Sequence, residues 1–339
     1  MKARVDVVVV GAGVMGLASA WALARDGREV AVLEQFEVGS ERGSSHGSAR
    51  IFRFAYDEPE WVALAQEALP LWRELEEEAG GPVLSLTGLL DSSTDSGPLR
   101  AALDARGAAH EVLSPIAAAE RFGIELDGEV VLELHGGTVL ASRALAAFSA
   151  GVAVHEGVRV LDLVVSGDGV RVETSSGPVE ANVAVVAAGV WATPLLATSG
   201  IELESWVSRE TVAYFRLDGV DRLPSVIDWN EHTGRHAYSL ASDGLLKVGL
   251  HHSGTRVEPG QDGDPDPQVV EATAEWVARR YPAANPEAVH AESCVYTNIA
   301  DDAFVLERHG PIVVCSACSG HGFKFAPAVG RRVAELAAA

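Results

Sequence analysis

Lysine is nearly missing from this chain: it occurs only as Lys2, Lys247 and Lys324, while the other 23 of 26 basic residues are arginine. Cysteine is as scarce, and Cys294, Cys315 and Cys318 are too few for a disulfide framework. No apolar run approaches the roughly 20 residues of a membrane-spanning helix. The valine-rich N-terminus has neither the basic n-region nor the small-residue cleavage site of a secretory signal. Glycine and proline (34 and 15) stay well under the ~25–30% of low-complexity chains, which sets aside disordered and fibrous folds. Positive charge is short too. A net charge of −22 disfavours nucleic acid and anionic membranes as partners. What is left is an acidic globular chain of 339 residues, read as cytoplasmic and long enough for about two domains at roughly 150 residues each.

Where arginine serves almost everywhere, two internal lysines stand out. An ammonium is a compact point charge whose pKa shifts readily on burial, which a guanidinium cannot imitate. The clearest passage is the first thirty-four residues. Val5 to Val10 is a β-branched run suited to a strand buried on both faces, and Gly11-Ala-Gly13-Val-Met-Gly16 follows and opens an Ala/Leu-rich helix. A second strand ends at Glu34. That spacing is the one at which glycines admit a pyrophosphate to a helix N-terminus and a carboxylate meets a ribose hydroxyl.

The segment from Gly39 to Tyr56, carrying His46, Arg50 and Arg53, reads as a polar loop lying along a longer cofactor than NAD. Glu58 to Glu78 has the spacing of an amphipathic helix. The middle alternates short helices and strands, with a Gly167-Asp168-Gly169 hairpin turn, and Val183 to Ala187 leads into Gly189 and Trp191. From Trp206 to His251 longer strands suggest an antiparallel sheet, and Ile312 to Ala317 is a strand before Gly320-His321-Gly322-Phe323-Lys324 and a last helix. The order implies a dinucleotide domain assembled from separate pieces with an antiparallel domain threaded between them. Cys315-Ser-Ala-Cys318 ends a strand without a second ligand pair and reads as small-residue packing. His251 and His252, adjacent on a strand, point to opposite faces, so no metal is expected.

Five separated motifs together resemble the monomeric sarcosine oxidase and N-methyltryptophan oxidase family of flavoenzymes: Gly11–Gly16 with Glu34; Ser45-His46-Gly-Ser-Ala-Arg50-Ile-Phe-Arg53; Ala187-Ala-Gly-Val-Trp191; Leu246-Lys247-Val-Gly-Leu-His251; and Cys294-Val-Tyr296-Thr with Ser319-Gly-His-Gly-Phe-Lys324-Phe. The resemblance implies an α/β fold in which an FAD-binding Rossmann-like domain of the glutathione-reductase type (1–56, 136–200 and 300–339) joins an antiparallel-sheet α+β substrate domain (57–135 and 201–299). It implies FAD attached covalently through Cys294, with contacts from Gly11, Gly13, Gly16, Glu34, Ser45, His46, Arg50, Val160, Gly189, Trp191, Gly320, Gly322, Phe323 and Lys324. It further implies that Arg53 and Lys324 bind a substrate carboxylate, that Tyr238, Tyr296 and His251 line the pocket, and that Lys247, with Arg50, serves the flavin and its reaction with oxygen. The expected activity is oxidation of N-methyl or cyclic secondary amino acids, sarcosine first, by a monomer that yields hydrogen peroxide. A same-fold dehydrogenase with another electron acceptor and a non-catalytic flavin-binding redox sensor remain alternatives.

Overall fold

The computed structural model describes residues 4–167, 169–229 and 236–339; Lys2 and Asp168 of the expected hairpin turn lie outside them. The valine run forms β1 (Arg4–Val10), its last four residues buried, in parallel between β2 (Val30–Leu33) and the strand Val179–Val186. The helix α1 (Val14–Arg25) makes the crossover. On the far side of β2 lies Ala153–His155, also parallel. Val179–Val186 is shared: its first half pairs with the antiparallel hairpin of Val160–Ser166 and Gly169–Thr174, and its second half pairs in parallel with Ile312–Ser316, which carries Val305–His309 on its edge. One face of this sheet packs on α1, the last helix (Ala326–Ala338) and, beyond them, α2 (Pro59–Ala79), around Leu17, Trp21, Trp72 and Phe148. The other face has its own core of Val8, Val10, Ala184, Leu196 and Ile312.

A second, nine-stranded sheet is antiparallel except where Ser225–Asp228 runs parallel to Leu89–Ser93. Strand alternation decides what each face does. On Leu245–Leu250, Leu246 and Val248 pack toward the helix Pro267–Arg280, and Lys247 between them faces a cavity. On Ala237–Ser242, Ala237 and Ala241 join the same core while Tyr238 and Leu240 face that cavity. Trp276 Nε1 and Arg280 Nε of the covering helix donate to the buried Asp228 carboxylate at 3.0 and 2.8 Å, tying helix to sheet.

Two strands depart from the sequence reading. Ala49–Phe52, inside the segment read as a loop, pairs with Gly137–Leu140 to form a small third sheet with Leu84–Ser85. The fourteen-residue strand Asn285–Asn298, paired along Trp206–Arg216, carries no apolar run because its first half is largely exposed. No described helix is long and apolar enough to cross a membrane.

Candidate active site

One cavity of about 390 Å³ runs from the C-terminal ends of β1 and β2 to the face of the nine-stranded sheet. At its first end the backbone makes the shape. Gly11, with φ +100°, follows β1, and a Cβ there would stand 2.6 Å from the carbonyl oxygen of Ala187. Glycine alone fits that crossing. The following helix starts at Gly13 with no side-chain cap and no acidic residue in its first turn, so its N-terminal amides point toward the cavity with little to satisfy them beyond the Ser45 hydroxyl, which accepts from Val14 N at 3.0 Å. The Glu34 carboxylate is fixed at the end of β2 by the amides of Ala12 (2.7 Å) and Phe36 (2.8 Å). Val160, Gly189 and Trp191 line the same end, Trp191 packing against Phe36.

The other end gathers cations. Arg50, on the unexpected strand, donates to the carbonyls of Ala49, Ser44 and His46 at 2.9, 2.9 and 2.6 Å, and its guanidinium lies over Phe323. Arg53 donates to the Ala55 carbonyl and lies 4.0 Å over the Tyr56 ring. Lys324 Nζ donates to the Tyr56 hydroxyl at 2.9 Å and the His321 carbonyl at 2.5 Å, while Trp72 Nε1 holds the Lys324 carbonyl at 2.8 Å. Lys247 Nζ reaches the Ala49 carbonyl at 3.4 Å. Arg53, Lys247 and Lys324 are 8%, 5% and 5% exposed, so these charges are buried. Among the described residues no carboxylate forms an ion pair with any of the four. The cost falls on the lysines. Burial, with Arg50 adding to it, lowers Lys247 to about 7; burial and Arg53 push Lys324 well below the usual ammonium range. Glu292 acts on Lys247 only at longer range and is itself engaged by the Tyr214 hydroxyl, which donates to it at 2.7 Å.

Between the two ends stand Cys294, Tyr296, Tyr238 and His251. Cys294 and Tyr296, two apart on one strand, share the cavity face. The Tyr296 and Tyr238 hydroxyls are paired, and burial raises both phenols. Burial also raises the Cys294 thiol, against the pull of Arg50 and Lys247. Gly320 keeps this wall open: a Cβ there would meet the Tyr296 and His251 rings at 2.3 and 2.5 Å.

Of the residues expected at the site, all but two line the cavity; Gly320, Gly322 and Phe323 are among those that do. Gly16 does not. Its role is the crossing of α1 over the preceding turn, where a Cβ would sit 1.9 Å from the Gly11 carbonyl oxygen. The His46 ring is also off the wall: it is buried behind Arg50 with Nε2 lacking a partner among the described residues, and burial lowers it to about 4. Its carbonyl, not its imidazole, serves the site by holding Arg50. The expectation that His251 and His252 face opposite ways fails, because the strand ends at Leu250 and His252 takes a left-handed backbone (φ 54°), which brings the two rings 4.0 Å apart. Cys315 and Cys318 are unbridged and border the cavity, burial pushing the Cys315 thiol up to about 12. Tyr56, which anchors Lys324 from 268 residues away, has no signal in the sequence.

A family model described as FAD dependent oxidoreductase matches residues 6–336. The peroxisomal sarcosine oxidase of Homo sapiens is 34% identical over 98% of this chain and 91% of its own length. The monomeric sarcosine oxidase of Bacillus sp. (strain NS-129) is 29% identical over 99% and 94%. Among solved structures, the open form of NikD, an unusual amino acid oxidase essential for nikkomycin biosynthesis, superposes with a TM-score of 0.87 at 28% identity, covering 99% of this chain and 94% of that one.

Proposed function

The chain belongs to the family of FAD-dependent oxidoreductases and is an FAD-dependent amine oxidase, and from that premise we propose that it oxidises small N-methylated or cyclic secondary amino acids, sarcosine first, with dioxygen as acceptor. The observation that carries this reading is the gathering of Arg50, Arg53, Lys247 and Lys324 around one cavity, without a paired carboxylate among the described residues, in a chain of net charge −22. Burying three of these groups, Arg53, Lys247 and Lys324, beside a half-buried Arg50 is costly unless an anion completes the site.

The first end of the cavity fits FAD. An uncapped helix N-terminus can take the pyrophosphate and the pre-positioned Glu34 carboxylate can take ribose hydroxyls. Residues 1–56, 136–200 and 300–339 form the domain that holds it, and 57–135 with 201–299 form the substrate domain. When bound, FAD supplies the two-electron oxidation of the C–N bond and passes the electrons to dioxygen, giving hydrogen peroxide. Cys294 is the proposed point of covalent attachment.

Arg53 contributes a planar fork and Lys324 a point charge to the substrate carboxylate, with Tyr56 holding both in place. The same positive surroundings favour loss of the ammonium proton, so the amine is neutral when it reacts. Tyr238, Tyr296 and His251 close the pocket around it and limit side-chain size. Lys247, also on the cavity wall, offers an ammonium to the negative charge that develops on reduced oxygen. Three unpaired cysteines agree with a reducing cytoplasm, and the reading takes the enzyme as a monomer.

Anaerobic addition of sarcosine to the yellow holoenzyme tests the reading. Bleaching of the flavin, followed by one peroxide per substrate once air is admitted, is expected, with the colour staying on the acid-precipitated protein. An unbleached spectrum contradicts the assignment of substrate, and bleaching without peroxide points to a dehydrogenase.

A further inference from the structure

A second group of ligating side chains stands beside the pocket, and of its members only His251 also has a part in the chemistry above. It is made by His252 and Asp302, with His251 reaching in from the cavity wall. Three chain segments meet here. His252 turns back at the end of Leu245–Leu250, and Asp302 sits in a short turn that carries left-handed backbone (φ 52°). That turn is held by His321 Nε2, which meets the Asp302 carbonyl at 2.9 Å. One ligand atom from each of His251, His252 and Asp302 lies within 4.8 Å of the other two. His252 Nε2 and Asp302 Oδ1 are 3.3 Å apart. That is close to the separation, about 3.3 Å, of two donors placed ~2.0 Å from one tetrahedrally coordinated zinc ion.

We propose that His251, His252 and Asp302 form a binding site for one borderline transition-metal dication, of which zinc is the representative, at the edge of the amino-acid pocket. Two imidazoles and a carboxylate are the donor set that suits zinc, iron and their neighbours, and they discriminate against magnesium and calcium, which prefer all-oxygen shells. Both imidazoles ligate in the neutral form. The His251 ring, 4.0 Å from that of His252, adds a third donor beside the His252–Asp302 pair. The ion has a way in, since the His252 and Asp302 side chains are 35% and 52% exposed. It has a consequence as well: His251 borders the cavity and lies within electrostatic reach of Arg53 and Lys324, so a dication here occupies space beside the substrate carboxylate.

The site itself stands independently of the proposed substrate; only the effect on KM rests on that reading. The test is calorimetric titration of the holoenzyme with zinc chloride, alongside His252→Asn and Asp302→Asn. Asparagine tolerates the left-handed backbone at both positions, which keeps the turns intact. The expected result is ~1 zinc ion per chain, bound roughly tenfold or more weakly in each variant, with no comparable uptake of magnesium. Basal turnover of the metal-free variants stays that of the parent. Zinc raises the parent's KM for sarcosine, and a chelator reverses the rise. Absence of binding, or binding that survives in both variants as diffuse attraction to an acidic surface, overturns the site. Stoichiometric binding that leaves KM unchanged while sarcosine is still oxidised overturns its place at the pocket edge.

Discussion

The two ends of the cavity are built by different rules. At the nucleotide end the work is done by backbone: two glycines that permit close crossings, a helix start left uncapped, and one carboxylate fixed by two amides. Apart from the Ala187 carbonyl that Gly11 crosses, all of it lies between Gly11 and Ser45. At the cation end the work is done by side chains brought from 198 and 268 residues apart, Lys247 to Ala49 and Lys324 to Tyr56. The first end is a shape that any member of a large fold class can use. The second is a charge distribution that only a particular ligand justifies, which is why it carries the functional reading.

Perturbing each end in turn separates them. Gly16→Ala has the largest expected effect, because the added Cβ meets backbone at 1.9 Å and neither the helix nor the preceding turn can yield cheaply. A loss of order 3 kcal/mol or more in stability is expected, together with flavin-free protein. The flavin-to-protein absorbance ratio and Tm report it, and a fully loaded protein with unchanged Tm contradicts it. Lys247→Met leaves the nucleotide end intact and slows reoxidation of reduced enzyme by air roughly 10²–10³-fold, the usual loss when one charge-stabilising group is removed. Reduction by substrate is little changed, so equal rates of reoxidation in stopped flow remove Lys247 from that role. The same lysine gives a pH dependence. Its ammonium is held down to about 7, so the charged form is present below that pH and is lost above it. Reoxidation of the unaltered enzyme therefore falls as pH rises through about 7, and a flat profile argues against it.

Arg53→Gln raises KM for the amino acid about 10–100-fold, the worth of a charge-assisted hydrogen bond, while flavin content stays full. Tyr56→Phe is the mildest. It removes the hydroxyl that accepts from Lys324 Nζ at 2.9 Å and costs about 1 kcal/mol, roughly fivefold in KM. Steady-state assays over a range of substrate concentration separate both from loss of kcat.

How much of this was legible in the sequence follows the same division. Gly11, Gly13 and Glu34 obey a spacing rule that is local and imposed by backbone geometry, so they could be read directly. The lysines could be singled out because the chain uses so few, but nothing in the sequence says that they face one cavity. Arg50 lies on a strand that the sequence hides, since Ala49–Phe52 is short and finds its partners at Gly137–Leu140, far along the chain. Cys294 and Tyr296 became site residues through resemblance; their strand is polar and half-exposed, without the apolar alternation that marks one. Alternation fails at His252, because the strand ends at Leu250 and the backbone there turns left-handed. Tyr56 shows the remaining gap. A phenol that organises two cations is visible only once the fold brings it to them.

On the proposed reading the cation end holds a carboxylate, and one comparison asks that directly: the rate of anaerobic flavin reduction by sarcosine against that by sarcosine methyl ester. Esterification removes the anion and also lowers the amine pKa, which by itself makes the ester the easier compound to oxidise. With Arg53 and Lys324 acting as described, the ester nonetheless reduces the flavin with an efficiency lower by roughly 10²-fold or more. An ester that reduces the enzyme as efficiently as the free acid contradicts the assignment of those two residues.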